Sequence, residues 1–301
     1  MGGLFLCGGR DTQCVTICAS PRLPAGRAPR IVIPDMTAYS RAFSTLGCPE
    51  FSLAQVLALA AKHGLGEVEV RALGGTVDLP AYFAAHCGTP AALAGQVRAS
   101  GVRIVALDTS FKLIGSGVAD RTTLMTFLPW AEALGGVRLR VFDGGVPGGG
   151  NDLAPAFATL AWWRAARAHH GWRSQLMVET HDALTTTPAI LEFAREAPDC
   201  GVLWDTHHTW KKGGEDPLET WAAIKERVVH VHVKDSVSRP SARHPFTYVL
   251  PGEGEFPMAP IAAVLQREFS GTVSLEWEKQ WHPYLPPVDD ALRVAAERGW
   301  W

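Results

Sequence analysis

The chain has six cysteines but no pair in a C-x-x-C arrangement. Zinc ribbons and thioredoxin-type redox motifs are therefore excluded. Cys7, Cys14 and Cys18 fall near the N-terminus, and Cys48, Cys87 and Cys200 are scattered. That is the pattern of free thiols in a reducing cytoplasm. No run of 18 apolar residues occurs, so there is no candidate for a membrane-spanning helix. The opening MGGLFLCGGRDTQC lacks the basic start and long apolar stretch of a signal peptide. Its apolar stretch is also too short to mark Cys7 for lipid anchoring. Basic residues do not exceed acidic ones: the net charge is −2 and 19 % of residues are charged. No surplus is available to neutralise phosphates, so nucleic acid is not an expected partner. The turn GCPEFS after the first strand candidate is not the G-x-G-x-x-G of a dinucleotide-binding sheet.

What is present is material for a large core. With 301 residues, 47 % of them hydrophobic, one or two domains fit, and α/β barrels routinely fill about 250 residues as one. Residues 1–38 are rich in Gly, Pro, Arg and Cys without periodicity and are predicted to be a disordered leader outside the fold. Beyond them strand-like and helix-like stretches alternate. The predicted strands are 42–46, 67–73, 102–108, 137–143, 175–180, 201–205, 228–233 and 272–277. Amphipathic stretches separate them, beginning with Ser52 to His63, where Ser52 suits the N-cap and Gly64 the stop. Others run over 153–170, 188–197, 216–227, 258–269 and 289–298. This alternation predicts an α/β fold, a single (β/α)8 TIM barrel over residues 39–301. A doubly wound open sheet is the competitor.

Four strand ends carry metal-ligand residue types: Glu179 in LMVETH, Asp205 in GVLWDTHH, His232 in VVHVHVKD and Glu276 in TVSLEWE. They stand about 25 to 45 residues apart, the length of a strand–helix unit. Ligands from successive strand ends of a barrel converge at one mouth. Three carboxylates and one imidazole make an oxygen-rich site for one divalent metal ion, Mn²⁺, Mg²⁺ or Co²⁺ rather than Zn²⁺. Without a cation, three buried negative charges would be costly. A lone glutamate at a strand end is ordinarily an ion-paired wall residue; four ligand types in series are not. The fifth and eighth strands face each other across the mouth, so Glu179 and Glu276 can flank a substrate. One can remove a proton beside a carbonyl while the other returns one. That chemistry suits isomerisation or epimerisation of a small-molecule carbohydrate.

The segments VETHDAL, DTHH, HVHVKD, PGEGEFP and SLEWEKQWHP, in this order and spacing, resemble the xylose isomerase-like TIM barrel family. Its members are often labelled sugar phosphate isomerases or epimerases and include ketose 3-epimerases and inosose dehydratases. The resemblance covers about residues 41 to 301 and puts the ligands on Glu179, Asp205, His232 and Glu276. It implies that His208 touches substrate oxygens, with His207 a packed bystander, and that His230 supports the ligands from behind. It also implies that Lys234 contacts substrate and takes part in acid–base work; pairing with Asp235 is the competing reading. His181, Arg71, Arg140 and Trp281 are further candidates for lining the mouth, the arginines toward hydroxyls or a carboxylate. A wall ion pair is the plainer role for either arginine, and core filler for most of the 11 tryptophans. The Gly252–Glu253–Gly254 loop is read as a turn. No basic residue lies between Pro245 and Arg267, which gives little support to a phosphorylated substrate.

Two further reactions fit the same residues: dehydration of an inosose and elimination from a keto-glycoside, since both begin with proton abstraction beside a carbonyl. An apurinic endonuclease of the same superfamily is disfavoured, because the second and third strand ends offer Arg71 and Asp108 instead of histidines. A non-catalytic sugar-binding barrel would have no use for all four ligands. Cytoplasmic location and a homo-oligomer are compatible with the sequence.

Overall fold

The computed structural model describes residues 39–147 and 150–301. The leader expected over residues 1–38 lies outside the described residues. In chain order the strands are β1 (Ser40–Phe43), β2 (Glu67–Val70), β3 (Arg103–Ile114), β4 (Arg138–Gly144), β5 (Leu176–Glu179), β6 (Gly201–Asp205) and β7 (Val228–Val233). A small antiparallel hairpin follows, β8 (Asp235–Val237) with β9 (Thr247–Val249), and then β10 (Thr272–Leu275). Eight of them pair in parallel in the order β1-β10-β7-β6-β5-β4-β3-β2. A parallel bridge between Ser44 and Glu69 joins the first strand to the second and completes the ring. The fold is a single (β/α)8 TIM barrel.

Helices occupy the connections: α1 (Leu53–Lys62), α2 (Leu79–His86), α3 (Pro90–Ser100), α4 (Val118–Met125), α5 (Leu128–Ala133), α6 (Ala154–His170), α7 (Thr187–Glu196), α8 (Thr206–Lys211), α9 (Pro217–Ile224), α10 (Met258–Glu268) and α11 (Val288–Glu297). Local chemistry sets their ends. At α1 the Ser52 hydroxyl accepts from the Gln55 amide, and the Gln55 side chain accepts from the Ser52 amide, a reciprocal capping box. Leu53, Val56, Leu57 and Ala60 then form the buried stripe. Gly64, at φ 66°, takes the left-handed conformation that ends the helix.

Several boundaries differ from the sequence expectation, among them the ends of β2 at Val70 and β10 at Leu275, and three have a local reason. β1 stops at Phe43 because Ser44 caps a 3-10 turn over Thr45–Gly47. β3 continues past Asp108 to Ile114, with a register irregularity between Asp108 and Lys112. Its extension buries Phe111 and Leu113 beyond the barrel proper. The helix expected over 216–227 breaks after Ile224 into a 3-10 turn.

The hairpin is anchored by one side chain. The Asp235 carboxylate accepts the backbone N–H groups of Gly252, Gly254 and Phe256, and that of Ser236. The glycine-rich loop is thus a turn wrapped around an aspartate, and its amides are spent there. A Cβ at residue 254 would collide with the Asp235 carboxylate and the Ser236 carbonyl. Gly254→Ala is expected to lower stability by about 2 kcal/mol or more, read as a lower urea midpoint. Gly95→Ala, on an open face of α3, should instead raise stability by up to about 1 kcal/mol.

Candidate active site

Strand alternation decides which side chains reach the barrel mouth. In and after β7, His230, His232 and Lys234 point one way, while Val229, Val231 and Val233 point the other. Ser274, Glu276 and Glu278 share a face of β10 and its continuation, and Glu67, Glu69 and Arg71 share one of β2. Polar side chains on the inner face near the C-terminal ends of barrel strands are where barrels assemble their chemistry.

The structure brings the four sequence candidates together. One donor atom from each of Glu179, Asp205, His232 and Glu276 lies within 4.8 Å of the others, and all four residues are buried. His232 Nδ1 faces Glu276 Oε2 at 3.4 Å and stands 4.0 Å from Glu179 Oε1 and from Asp205 Oδ2. Its other nitrogen, Nε2, lies 2.8 Å from Glu69 Oε2. His230 Nε2 reaches the same oxygen at 2.7 Å and Ser274 Oγ at 2.8 Å. Glu69 therefore takes the outer side of both rings and leaves His232 Nδ1 turned into the carboxylates. His232 Nδ1 makes no well-aligned hydrogen bond, and Glu179 Oε2 and Asp205 Oδ2 have ion-pair contacts only, the first with Arg140 and the second with Lys234 and His208. Buried polar atoms are nearly always satisfied, and a divalent cation between these donors would satisfy them. The residues present fit such an ion.

Electrostatics point the same way. Burial raises the Glu179 and Asp205 carboxyls above their ordinary range. Burial opposes charge on His232, but Glu69 and Glu276 outweigh it and lift the imidazole well above the usual histidine range. The imidazole is thus held in its protonated form. Six acidic side chains (Glu69, Asp108, Glu179, Asp205, Glu276 and Glu278) gather here with Arg71, Arg140, Lys234 and the protonated His232.

Lys234 does not pair with Asp235. Its ammonium contacts Glu276, Asp205 Oδ2 at 2.8 Å and Glu278 Oε1 at 2.6 Å. These charges outweigh burial and keep it protonated. His208 Nδ1 lies 3.0 Å from Asp205 Oδ2 and 3.1 Å from the Thr180 carbonyl. Burial and the Lys234 charge depress it well below the usual range, so it is neutral. His207 is packed, its Nε2 2.8 Å from Ser236 Oγ and its ring against Phe246 and Tyr248. His181 sits beside the His208 ring, edge on at 4.8 Å, with Nδ1 3.0 Å from Asp182 Oδ2. Arg140 is a wall ion pair: Nε is 3.3 Å from Glu179 Oε2 and Nη2 is 3.5 Å from Asp108 Oδ2. Arg71 is buried at the end of β2. Trp281 is 39 % exposed and does not join the cluster, while Trp204 and Trp277 are core.

Sequence reasoning missed Glu69 and Tyr248 as members of the cluster, which Glu278, on the same strand face as Glu276, also joins. Tyr248 donates its hydroxyl to Glu278 Oε1 at 2.8 Å. Glu69 had a signal: in EVEVR every second residue of a buried strand is charged, which is costly unless the charges meet partners inside. Tyr248 had none, because the hairpin carries it to the mouth. A hollow of about 830 Å³ lined by Ser40, Glu67, Arg103, Arg138 and Thr272 opens at the N-terminal ends of the strands. That face serves stability in barrels, and the four donors are not there.

Comparison with solved structures returns the same architecture. The probable 3-DHS dehydratase AsbF, involved in petrobactin synthesis, from Bacillus anthracis superimposes with a TM-score of 0.67 at 19 % identity, covering 86 % of this chain and 99 % of that one. The IOLI protein, solved with a zinc atom bound, gives 0.64 at 18 %, covering 86 % and 96 %. A xylose isomerase domain containing protein from Salmonella typhimurium gives 0.65 at 14 %, also covering 86 % and 96 %. At these identities the likeness is one of fold. No curated protein sequence matches the chain. The sequence profile of the xylose isomerase-like TIM barrel family matches residues 57–299, most of the barrel, and the chain belongs to that family.

Proposed function

We propose that this barrel is a divalent-metal-dependent isomerase or epimerase of a sugar or related polyol. The observation that carries the reading is the convergence of Glu179, Asp205, His232 and Glu276 on one point, with His232 Nδ1 turned inward by Glu69. These four would hold the ion, and Mn²⁺, Mg²⁺ or Co²⁺ suits three carboxylates and one imidazole better than Zn²⁺. The ion would supply Lewis-acid polarisation of substrate oxygens.

The protein's own groups do the rest. Glu179 or Glu276 removes the proton next to the substrate carbonyl, and the opposite glutamate delivers one. Neutral His208 accepts or donates a hydrogen bond to a substrate hydroxyl. Lys234, held between Asp205, Glu276 and Glu278, presents a fixed positive charge to developing negative charge on substrate oxygen. His181 and Trp281 are assigned to substrate at the outer rim, and His230 to holding Glu69 in place. Barrel and site together make residues 39–301 the catalytic domain. The free thiols of Cys48, Cys87 and Cys200 suit a reducing cytoplasm. Among the described residues no helix is long and apolar enough to cross a membrane. For a three-metal nuclease, Arg71 just after β2 and Asp108 within β3 stand where further histidines would be needed.

Glu276→Gln should retain the fold by circular dichroism and lose more than about a hundredfold in turnover on any keto-sugar that the wild type processes; near-normal turnover would sink the acid–base assignment. Asp205→Ala should weaken Mn²⁺ binding by at least about 100-fold in calorimetry, a removed ligand costing no less than a removed ligand support. Because His232 holds a proton and Glu179 and Asp205 are raised, metal binding should release protons and strengthen as pH rises. Calorimetry in buffers of different ionisation heat measures that release. Lys234→Met removes a cation that contacts Asp205 and Glu276, so Mn²⁺ should bind more tightly while turnover falls. Weaker Mn²⁺ binding in Lys234→Met would contradict this account of the lysine.

A further inference from the structure

Arg71 is the charged group that the proposed chemistry leaves without employment. It stands immediately after β2, 5 % exposed, level with the mouth. Its Nη2 donates to Ser110 Oγ at 2.9 Å and its Nη1 to the Asp108 carbonyl at 3.4 Å. Both acceptors are neutral. Among the described residues no carboxylate is in ion-pair contact with it, whereas Arg140 touches Asp108 and Glu179 and Lys234 touches three carboxylates. Burial, and next the charge of Arg140, lower the Arg71 guanidinium to about 10, still far above neutrality. A buried, charged guanidinium with no anion in contact is costly to maintain.

Its surroundings are built. The register irregularity of β3 between Asp108 and Lys112 brings Ser110 to the Arg71 fork, the use to which bulges beside active sites are put. The Arg71 backbone N–H is fixed by Thr45 Oγ1 at 2.8 Å. The charges of Asp108, Glu179 and Glu276 act on Arg71 without an ion-pair contact, and Arg71 and the donor cluster stand at the same end of the strands. The donor cluster comes from β5, β6, β7 and the end of β10, and Arg71 comes from β2.

We infer that Arg71 is the recognition point for a carboxylate on the substrate, which makes the substrate a polyhydroxy keto acid instead of a neutral sugar. This rests on the proposed metal-dependent reading of the site. A carboxylate matches the planar fork of a guanidinium with two parallel hydrogen bonds. A phosphate would need more donors than one arginine supplies. The loop after β7 offers none, since its glycine amides are spent on Asp235.

The test uses D-gluconate and D-glucitol, which share a hydroxylated six-carbon chain and differ in the carboxylate. Each is titrated by calorimetry into the full chain loaded with Mn²⁺. Gluconate should bind at least about tenfold more tightly, the scale of a charge-assisted hydrogen-bonded pair. Arg71→Met should remove most of that preference without weakening Mn²⁺ binding, and Arg71→Lys should retain part of it. Equal binding of the two probes, including binding by neither, in protein that binds Mn²⁺ normally overturns this inference and leaves the metal reading standing. A gluconate preference that persists in folded Arg71→Met overturns the assignment to Arg71. Failure to bind Mn²⁺, with no preference between the probes, overturns both.

Discussion

The Glu69 carboxylate is the constraint on which the mouth of this barrel depends. One of its oxygens lies within hydrogen-bond distance of both His230 and His232. It thereby decides which nitrogen of His232 is presented to Glu179, Asp205 and Glu276. Rotation of that ring would turn a donor away from the carboxylates and leave a like-charged cluster in a dry interior. Burial opposes ionisation of Glu69, but the His232 charge and the hydrogen bonds from His230 and His232 outweigh it and hold the carboxyl well below the usual range. The residue is ionised although no part of it reaches solvent. Asp108 nearby shows the opposite outcome: burial and the Glu69 charge push its carboxyl well above the ordinary range. Two carboxyls in one neighbourhood are thus shifted in opposite directions because their partners differ.

Around that anchor the barrel sorts charge by side. Arg140 faces Glu179 and Asp108, and Lys234 faces Asp205, Glu276 and Glu278. Each cation takes away part of the repulsion between carboxylates, and the Lys234 ammonium contacts the Asp205 and Glu276 oxygens that also face His232 Nδ1. Buried ion pairs are weak contributors to stability because desolvation offsets attraction. Their number here is better explained by chemistry that needs preorganised charge. The hairpin β8–β9 closes one flank, and its Tyr248 hydroxyl orients Glu278, which holds Lys234.

Much of this was legible in the chain. The eight strands were found by alternation and spacing, and GVLWD and VVHVHV have the boundaries read from sequence. The capping box at Ser52 and the stop at Gly64 are local chemistry and read out locally. The four donor residues were visible because each ends an apolar run. The partner of Lys234 was not legible: Asp235 is adjacent in sequence, but strand alternation sends it to the other side, where it captures the amides of the glycine loop. The length of β3 and the short helix α8, capped by Asp205 itself, were missed because pairing with β4 and the burial of Asp205 set them.

The sequence alone determined the period of the strands, the residue types at their ends and the order in which those ends recur. These follow from side-chain direction and hydrophobicity, which act within a few residues. The tertiary structure decided which charges meet. Glu69 and His232 are separated by 163 residues and Lys234 and Glu276 by 42. Such pairs become neighbours only when a closed ring of strands brings distant segments to one axis, and there electrostatics depends on distance in space, not on position along the chain.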